Sequence, residues 1–199
     1  MHMELIPANS VQKIAEMLRD GAVFVYPTET SYGIGCDARN AEAVERIFTI
    51  KQRPADKGLV VLMKDTEMLE EYAKIPQKAR ELGDTHWPGA LNIVLESTED
   101  SSIVPACAHA GHQAVRVSSH PFVQELFTEF VGPIVSTSAN ISGNEPLYDP
   151  QEIVEMFEGQ EFQPDVIVDG GVIPERPGST VVRIQDGNIV ILRQGEVIV

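Results

Sequence analysis

The sequence predicts an α/β domain built on a mixed sheet, and three observations carry that prediction. Short β-branched and aromatic runs alternate with stretches of helical period along the whole chain. Gly, Pro, Asn and Asp fall at the joints between them. The 199 residues, 43% hydrophobic and 23% charged, suffice for one substantial core and contain no internal repeat or low-complexity linker. A single domain over residues 1–199, with strands of both directions and flanking helices, is therefore expected.

The elements follow in order. Asn9 is placed to cap a helix reaching about Arg19, with Ile14, Met17 and Leu18 on one face and Gly21 as its stop. Residues 22–26 read as a buried strand. Asn40 caps a second helix with Ala43, Val44, Ile47 and Phe48 as its apolar stripe. Residues 59–63 read as a strand, and 68–83 as helical with a break at Pro76. Strands are expected over 91–95, 114–118 and 133–136, with a helix over 121–130 between the last two. A helix over 150–157 precedes strands at 166–169, 180–184 and 189–193. Asp186-Gly187 fits the hairpin turn joining the final pair. Residues 97–112 form a long polar connection.

Charge and motif content exclude several functions. Thirty acids against fifteen bases give a net charge of −15, which disfavours extended nucleic-acid contact and makes any local cluster of cations stand out. No apolar stretch approaches membrane-spanning length. The opening MHMELIPANS lacks a basic region followed by an apolar core, so no secretory signal is expected. Cys36 and Cys107 lack metal-ligand spacing and read as free thiols of a reducing, cytoplasmic setting. His109 and His112 have no third ligand nearby. There is no GxxxxGK[ST] loop, no GxGxxG and no nucleophile elbow.

Three segments concentrate polar chemistry. The first, PTETSYGIGCDA over 27–38, follows a buried strand; Thr28, Glu29, Thr30 and Ser31 offer polar groups there, and Gly33 and Gly35 permit close backbone approach. It reads equally as a polar loop with turn glycines. The second, KQRPADKG over 51–58, presents Lys51, Arg53 and Lys57 from one turn stiffened by Pro54, a suitable cradle for phosphate or carboxylate. For Lys51, a helix C-terminus that attracts cations is the simpler reading. The third, STSANISG over 136–143, crowds Ser136, Thr137, Ser138 and Asn140 together, either to bind an anion or to satisfy its own turn. Arg116, inside the apolar strand AVRV, needs a partner and is a buried ion pair or a ligand clamp. Arg193 closes the last strand, as an exposed edge charge or a site residue, and Ser179 and Thr180 are placed to face the same cleft.

The order PTETSYGIGCDA, KQRPADKG, AVRV, STSANISG, GSTVV and LRQG resembles the YrdC/TsaC family of threonylcarbamoyl-AMP synthases, from about residue 8 to 195. The specific element is the pairing of Lys51 and Arg53 (KxR) with Ser138 and Asn140 (SxN), which marks the family's synthases; a divergent branch of the fold lacks it. The resemblance implies a twisted mixed sheet with flanking helices around a deep cationic cleft, the YrdC-like or DHBP-synthase-like fold. It implies ATP, L-threonine and bicarbonate as substrates, with magnesium held mainly by the nucleotide rather than by a protein metal site. By position, Thr30, Arg53, Arg116, Ser136 and Ser179 would hold threonine, with the Thr30 segment recognising its hydroxyl. Lys57, Ser138 and Arg193 would contact ATP. Lys51, Arg53 and Asn140 would stand at the reacting centre.

Some members carry asparagine where Lys57 stands, histidine where Leu62 stands and serine where Pro146 stands. The resemblance further implies downstream proteins that transfer the threonylcarbamoyl group to tRNA. An RNA-binding module and a nucleotide-binding protein of the divergent branch are the competing readings. The acidic charge limits any RNA contact to a weak one, and no membrane partner is expected.

Overall fold

The computed structural model describes residues 3–54 and 57–199. Met1 and His2, and the Ala55–Asp56 step of KQRPADKG, lie outside the described residues. Among those described, the chain forms eleven strands and six α-helices. The strands are β1 (Glu4–Pro7), β2 (Phe24–Pro27), β3 (Tyr32–Gly35), β4 (Val60–Leu62), β5 (Ala73–Lys74), β6 (Leu91–Ser97), β7 (His112–Arg116), β8 (Ile134–Ser138), β9 (Val166–Asp169), β10 (Thr180–Gln185) and β11 (Asn188–Arg193). The helices are α1 (Val11–Arg19), α2 (Ala41–Ile50), α3 (Thr66–Glu70), α4 (Gln77–His86), α5 (Pro121–Glu129) and α6 (Pro150–Phe157).

One sheet runs in the order β1-β9-β2-β3-β8-β4-β7-β6-β10-β11, with β5 added on β6. Its pairings mix directions as expected: β4 with β7 and β6 with β10 are parallel, whereas β2–β3, β3–β8, β4–β8 and β6–β7 are antiparallel. Two apolar clusters cover it. The larger gathers α2 and α6 around Val25, Ile34, Val61, Val115 and Val135. The smaller packs α1 and α5 against Phe24, Tyr26, Ile134 and Val168.

Several expectations are corrected by local physics. Asn9 does not cap α1; Ser10 occupies the cap and its side chain makes no capping bond. Asn40 does cap α2, accepting from the Ala43 N–H at 3.0 Å. The segment 68–83 is not one broken helix, because β5 intervenes between α3 and α4. Residues 32–35, read from sequence as loop, form a central strand: Tyr32 and Ile34 are fully buried, and their polar flanks hid the alternation. Gly35 is there for the neighbouring strand rather than for a ligand, since a Cβ would lie 1.9 Å from the Val135 carbonyl oxygen. Strand β8 runs on to Ser138, past the Ser136 boundary that the sequence suggests. Asp186 and Gly187 both take positive φ, 52° and 75°, as the predicted hairpin turn requires.

Candidate functional site

A cavity of about 280 Å³ opens at the middle of the sheet. Its walls come from the β2–β3 turn (Thr28, Thr30, Ser31), β7 (Arg116), β8 (Ser136, Thr137, Ser138) and the residue just before β10 (Ser179). Arg53 and Arg193 close the sides. A second chamber of about 160 Å³ is lined by Lys51, Arg53, Lys57, Ser138 and Asn140, so Arg53 and Ser138 belong to both. The structure thus brings together the candidate site residues that the resemblance implies: Thr30, Arg53, Arg116, Ser136, Ser179 and Arg193 in the first chamber, Lys51, Lys57 and Asn140 in the second, Ser138 between them. Among the described residues, neither lining contains an Asp or Glu. In a chain of net charge −15, these walls are built for anions.

Two arginines converge on Ser179. Arg116 donates through Nη1 to the Ser179 hydroxyl at 2.5 Å. Arg193 donates through Nε and Nη2 to the Ser179 carbonyl at 3.0 and 2.7 Å. This bond ties Arg193, at the exposed end of edge strand β11, to the cavity wall, so it is an edge charge and a cavity-lining residue at once. Partial burial and the like charge of Arg116 lower the pKa of Arg193. Thr180 does not share the cleft: its hydroxyl donates to the Val197 carbonyl at 2.6 Å and accepts from the Gly195 N–H.

Arg116 is both alternatives at once. It lines the cavity, and its Nη1 also lies 3.3 Å from Glu29 Oε1, in a pair whose side chains are 5% and 11% exposed. Ser118 donates to the other oxygen of Glu29. The carboxylate fixes the guanidinium from behind, as a buried arginine needs.

The KxR and SxN segments meet through Lys51. Its ammonium, 1% exposed, donates to the Asn140 carbonyl at 2.8 Å, to Asn140 Oδ1 at 3.0 Å and to the Ser138 carbonyl. Its own carbonyl accepts from the Ser142 N–H at 2.8 Å. The helix-end reading of Lys51 therefore gives way to a clamp on the loop after β8. Ser138 donates to Asn140 Oδ1 at 2.6 Å, and Asn140 donates to the Asn144 carbonyl, so this turn satisfies itself and still presents Ser138 to the cleft. Arg53 donates to the Gly58 carbonyl at 2.9 Å and the Lys57 carbonyl at 3.3 Å, which holds its head across the junction of the chambers. In the β2–β3 turn, Thr28 gives its proton to the Ser31 carbonyl at 2.7 Å. In the 3.2 Å Thr28–Thr30 contact, Thr30 is then the donor, and its lone pairs are left for a ligand N–H or O–H.

With this geometry in view, comparison with known proteins is decisive. The sequence profile of the Sua5/YciO/YrdC family, described as telomere recombination, matches residues 16–195. The chain belongs to the Sua5/YciO/YrdC family. A protein of Vibrio vulnificus named threonylcarbamoyl-AMP synthase is 39% identical over 138 residues, covering 68% of this chain and 74% of that one. The P. abyssi Sua5 structure complexed with L-threonine superposes with a TM-score of 0.88 at 32% identity, over 98% of this chain and 58% of that one. E. coli YciO matches with a TM-score of 0.85 at 28% identity, over 98% of this chain and 95% of its own. The chain spans about three-fifths of the Sua5 chains it resembles.

Membership of the Sua5/YciO/YrdC family leaves the departures to be located. Leu62 is fully buried in the smaller apolar cluster and does not line the cleft, while Pro146 does line it. Sequence reasoning passed over Glu29 as one polar residue among several. It also missed Asn92, on the cavity floor, although an amide inside the apolar run LNIVL breaks pattern just as Arg116 does in AVRV. A third, apolar chamber of about 420 Å³ adjoins the first at Gly58 and Leu59, lined by Val94, Cys107, Ala114 and Leu192 among others. Among the described residues, no helix is long and apolar enough to cross a membrane, and no group of three His, Cys, Asp or Glu side chains is placed to hold a metal.

Proposed function

We propose that this chain is an L-threonylcarbamoyladenylate synthase, a nucleotidyltransferase that condenses L-threonine, bicarbonate-derived carbon dioxide and ATP. The observation that carries the reading is the shared wall: Arg53 and Ser138 line both cationic chambers, so an amino acid in one is held against a polyphosphate in the other. The names of the Vibrio relative and of the threonine-bound Sua5 support it. The adjoining apolar chamber offers a surface for a base.

The chemistry asks for positioning and charge compensation rather than a protein nucleophile. The threonine amine adds to carbon dioxide, forming a carbamate and releasing a proton. A carbamate oxygen attacks the α-phosphorus of ATP; the bond from that phosphorus to the bridging oxygen breaks, and pyrophosphate leaves. Arg53 and Arg116 hold the threonine carboxylate, Ser136 and Ser179 contribute hydroxyls, and Thr30 accepts a hydrogen bond from a substrate N–H or O–H. Lys57, Ser138 and Arg193 hold the nucleotide. Lys51 and Asn140 keep the loop after β8 in place at the reacting centre.

Magnesium fits as a passenger of the nucleotide. The chambers offer hydroxyl oxygens, chiefly that of Ser138, and no lining carboxylate among the described residues, so phosphates supply most of its ligands. Bound there, it neutralises phosphate charge. The product's consumers are proteins that transfer threonylcarbamoyl to tRNA, and the acidic surface leaves RNA contact weak. The buried free thiols of Cys36 and Cys107 support a cytoplasmic setting.

The test is pyrophosphate release with ATP, magnesium and bicarbonate, with and without L-threonine. Release that needs both threonine and bicarbonate and vanishes in Arg53→Ala is expected. Tight ATP binding without threonine-dependent release would overturn the reading and favour the divergent branch.

A further inference from the structure

Glu29 sits in the β2–β3 turn between Thr28 and Thr30, both of which line the first chamber. Its two carboxylate oxygens face different partners. Oε1 lies 3.3 Å from Arg116 Nη1, and Oε2 accepts from the Ser118 hydroxyl. Arg116 closes β7 and Ser118 follows two positions later, so extended chain turns both side chains to one face. One short stretch of chain thereby grips both oxygens of the carboxylate.

Ser118 is itself held firmly. It is fully buried and lines neither chamber. Its Oγ accepts from the His120 N–H at 3.3 Å, which leaves the hydroxyl proton directed at Glu29. Its carbonyl accepts from Gln124 Nε2 on α5. His120 caps that helix, accepting from the Phe122 N–H at 3.3 Å, and α5 is packed into the smaller apolar cluster through Phe122, Val123 and Leu126. A continuous path of contacts therefore runs from α5 through Ser118 and Glu29 to Arg116, and on to Ser179 at the cavity wall.

A carboxylate behind an arginine can act in two opposite ways. Held still, it aims the guanidinium fork at a ligand. Free to swing about its soft terminal torsion, it competes with a ligand carboxylate for the same N–H groups. A donor on Oε2 fixes the torsion and engages part of the negative charge. We propose that Ser118 is a positioning residue for the amino-acid substrate: by fixing Glu29, it aims Arg116 at the substrate carboxylate and restrains Glu29 from competing for it. This rests on the synthase reading above and extends its threonine site to a residue outside the cavity.

Calorimetric titration of the full chain with L-threonine, and separately with ATP, tests it. Ser118→Ala should lose threonine affinity by roughly threefold to tenfold, the worth of one hydrogen bond, and keep its ATP affinity. In turnover the KM for threonine should rise by a similar factor with kcat little changed, the mark of lost binding rather than lost chemistry. Glu29→Ala should also weaken threonine binding, and adding Ser118→Ala to it should cost nothing more, because Ser118 acts through that carboxylate. Ser118→Cys keeps the shape but donates weakly, so it should lose threonine affinity as well, which covers the case in which the alanine variant fails to fold. Unaltered threonine affinity in the Ser118 variants overturns the assignment, and so does an equal loss for threonine and ATP, which would mark a general packing role. Additive losses in the double variant would show Ser118 working apart from Glu29 and overturn it equally. Failure of wild type to bind threonine removes the synthase reading and this inference together, whereas threonine binding indifferent to Ser118 removes this inference alone.

Discussion

Lys51 donates to Asn140 twice, to its carbonyl at 2.8 Å and to its Oδ1 at 3.0 Å, across 89 positions of sequence. Two motifs that look independent in the sequence are one physical unit, since the ammonium of the first is the fastener of the second. Lys51→Met should leave the Ser138 and Asn140 carbonyls without their donor, at about 1–3 kcal/mol for each buried acceptor. The expected result is a lower denaturant midpoint together with weakened ATP binding, and a variant with unaltered ATP affinity would count against the clamp.

The same lysine gives a pH signature. Burial, then the neighbouring charge of Arg53, lowers its pKa from the ordinary 10.5 to about 7. Between those values the unfolded chain holds more protons than the folded one, so this group's contribution to stability rises with pH across that window. Below about pH 7 the lysine is protonated in both states and the burial penalty is fully present. Lys51→Met should flatten the rise in urea titrations run from pH 6 to pH 9. Polyphosphate favours the ammonium form, so ATP binding near pH 8 should take up protons, read by calorimetry in buffers of different ionisation enthalpy.

Arg53→Lys tests geometry at constant charge. The guanidinium reaches the Gly58 and Lys57 carbonyls and still borders both chambers, a reach that a single ammonium does not reproduce. Threonine affinity should fall roughly tenfold or more, with thermal stability changed little. Near-normal affinity would remove Arg53 from the carboxylate clamp.

Glu29→Ala should strand Arg116. Removing one partner of a largely buried pair costs about 3 kcal/mol, because the remaining charge is uncompensated. A drop in unfolding free energy of that order, with a raised KM for threonine, is the expected outcome. Unaltered stability would show that Ser179 alone fixes the guanidinium.

Gly35→Ala should be disruptive without touching any ligand. Its Cβ would fall 1.9 Å from the Val135 carbonyl oxygen, and backbone in a central strand cannot move aside. Loss of about 1–3 kcal/mol or more, or failure to accumulate as soluble protein, is expected from thermal melts.

Much of this was legible in the sequence, for identifiable reasons. Strands and helices with clean periodicity, such as α6 and β9, are found where the pattern puts them, and Arg116 betrayed itself as a charge in an apolar run. Three things were hidden. Tyr32–Gly35 reads as loop because two of its four residues are glycines, which carry no alternation. The role of Lys51 depends on acceptors almost ninety positions away, which no local reading can supply. Asn92 was legible by the rule that exposed Arg116, but an amide interrupts an apolar strand less loudly than a charge.

The cleft draws its walls from β7, β8, the residue just before β10 and the β2–β3 turn, none of them joined directly in sequence to all the others. A molecule bound there acts as a removable crosslink between distant parts of the chain. Global unfolding must expel it, so saturation at a hundred times the dissociation constant adds about 2.7 kcal/mol of stability. Melting temperature against ligand concentration therefore becomes a binding assay that needs no turnover, and a scan of candidate metabolites by thermal shift would read the pocket's preferences directly.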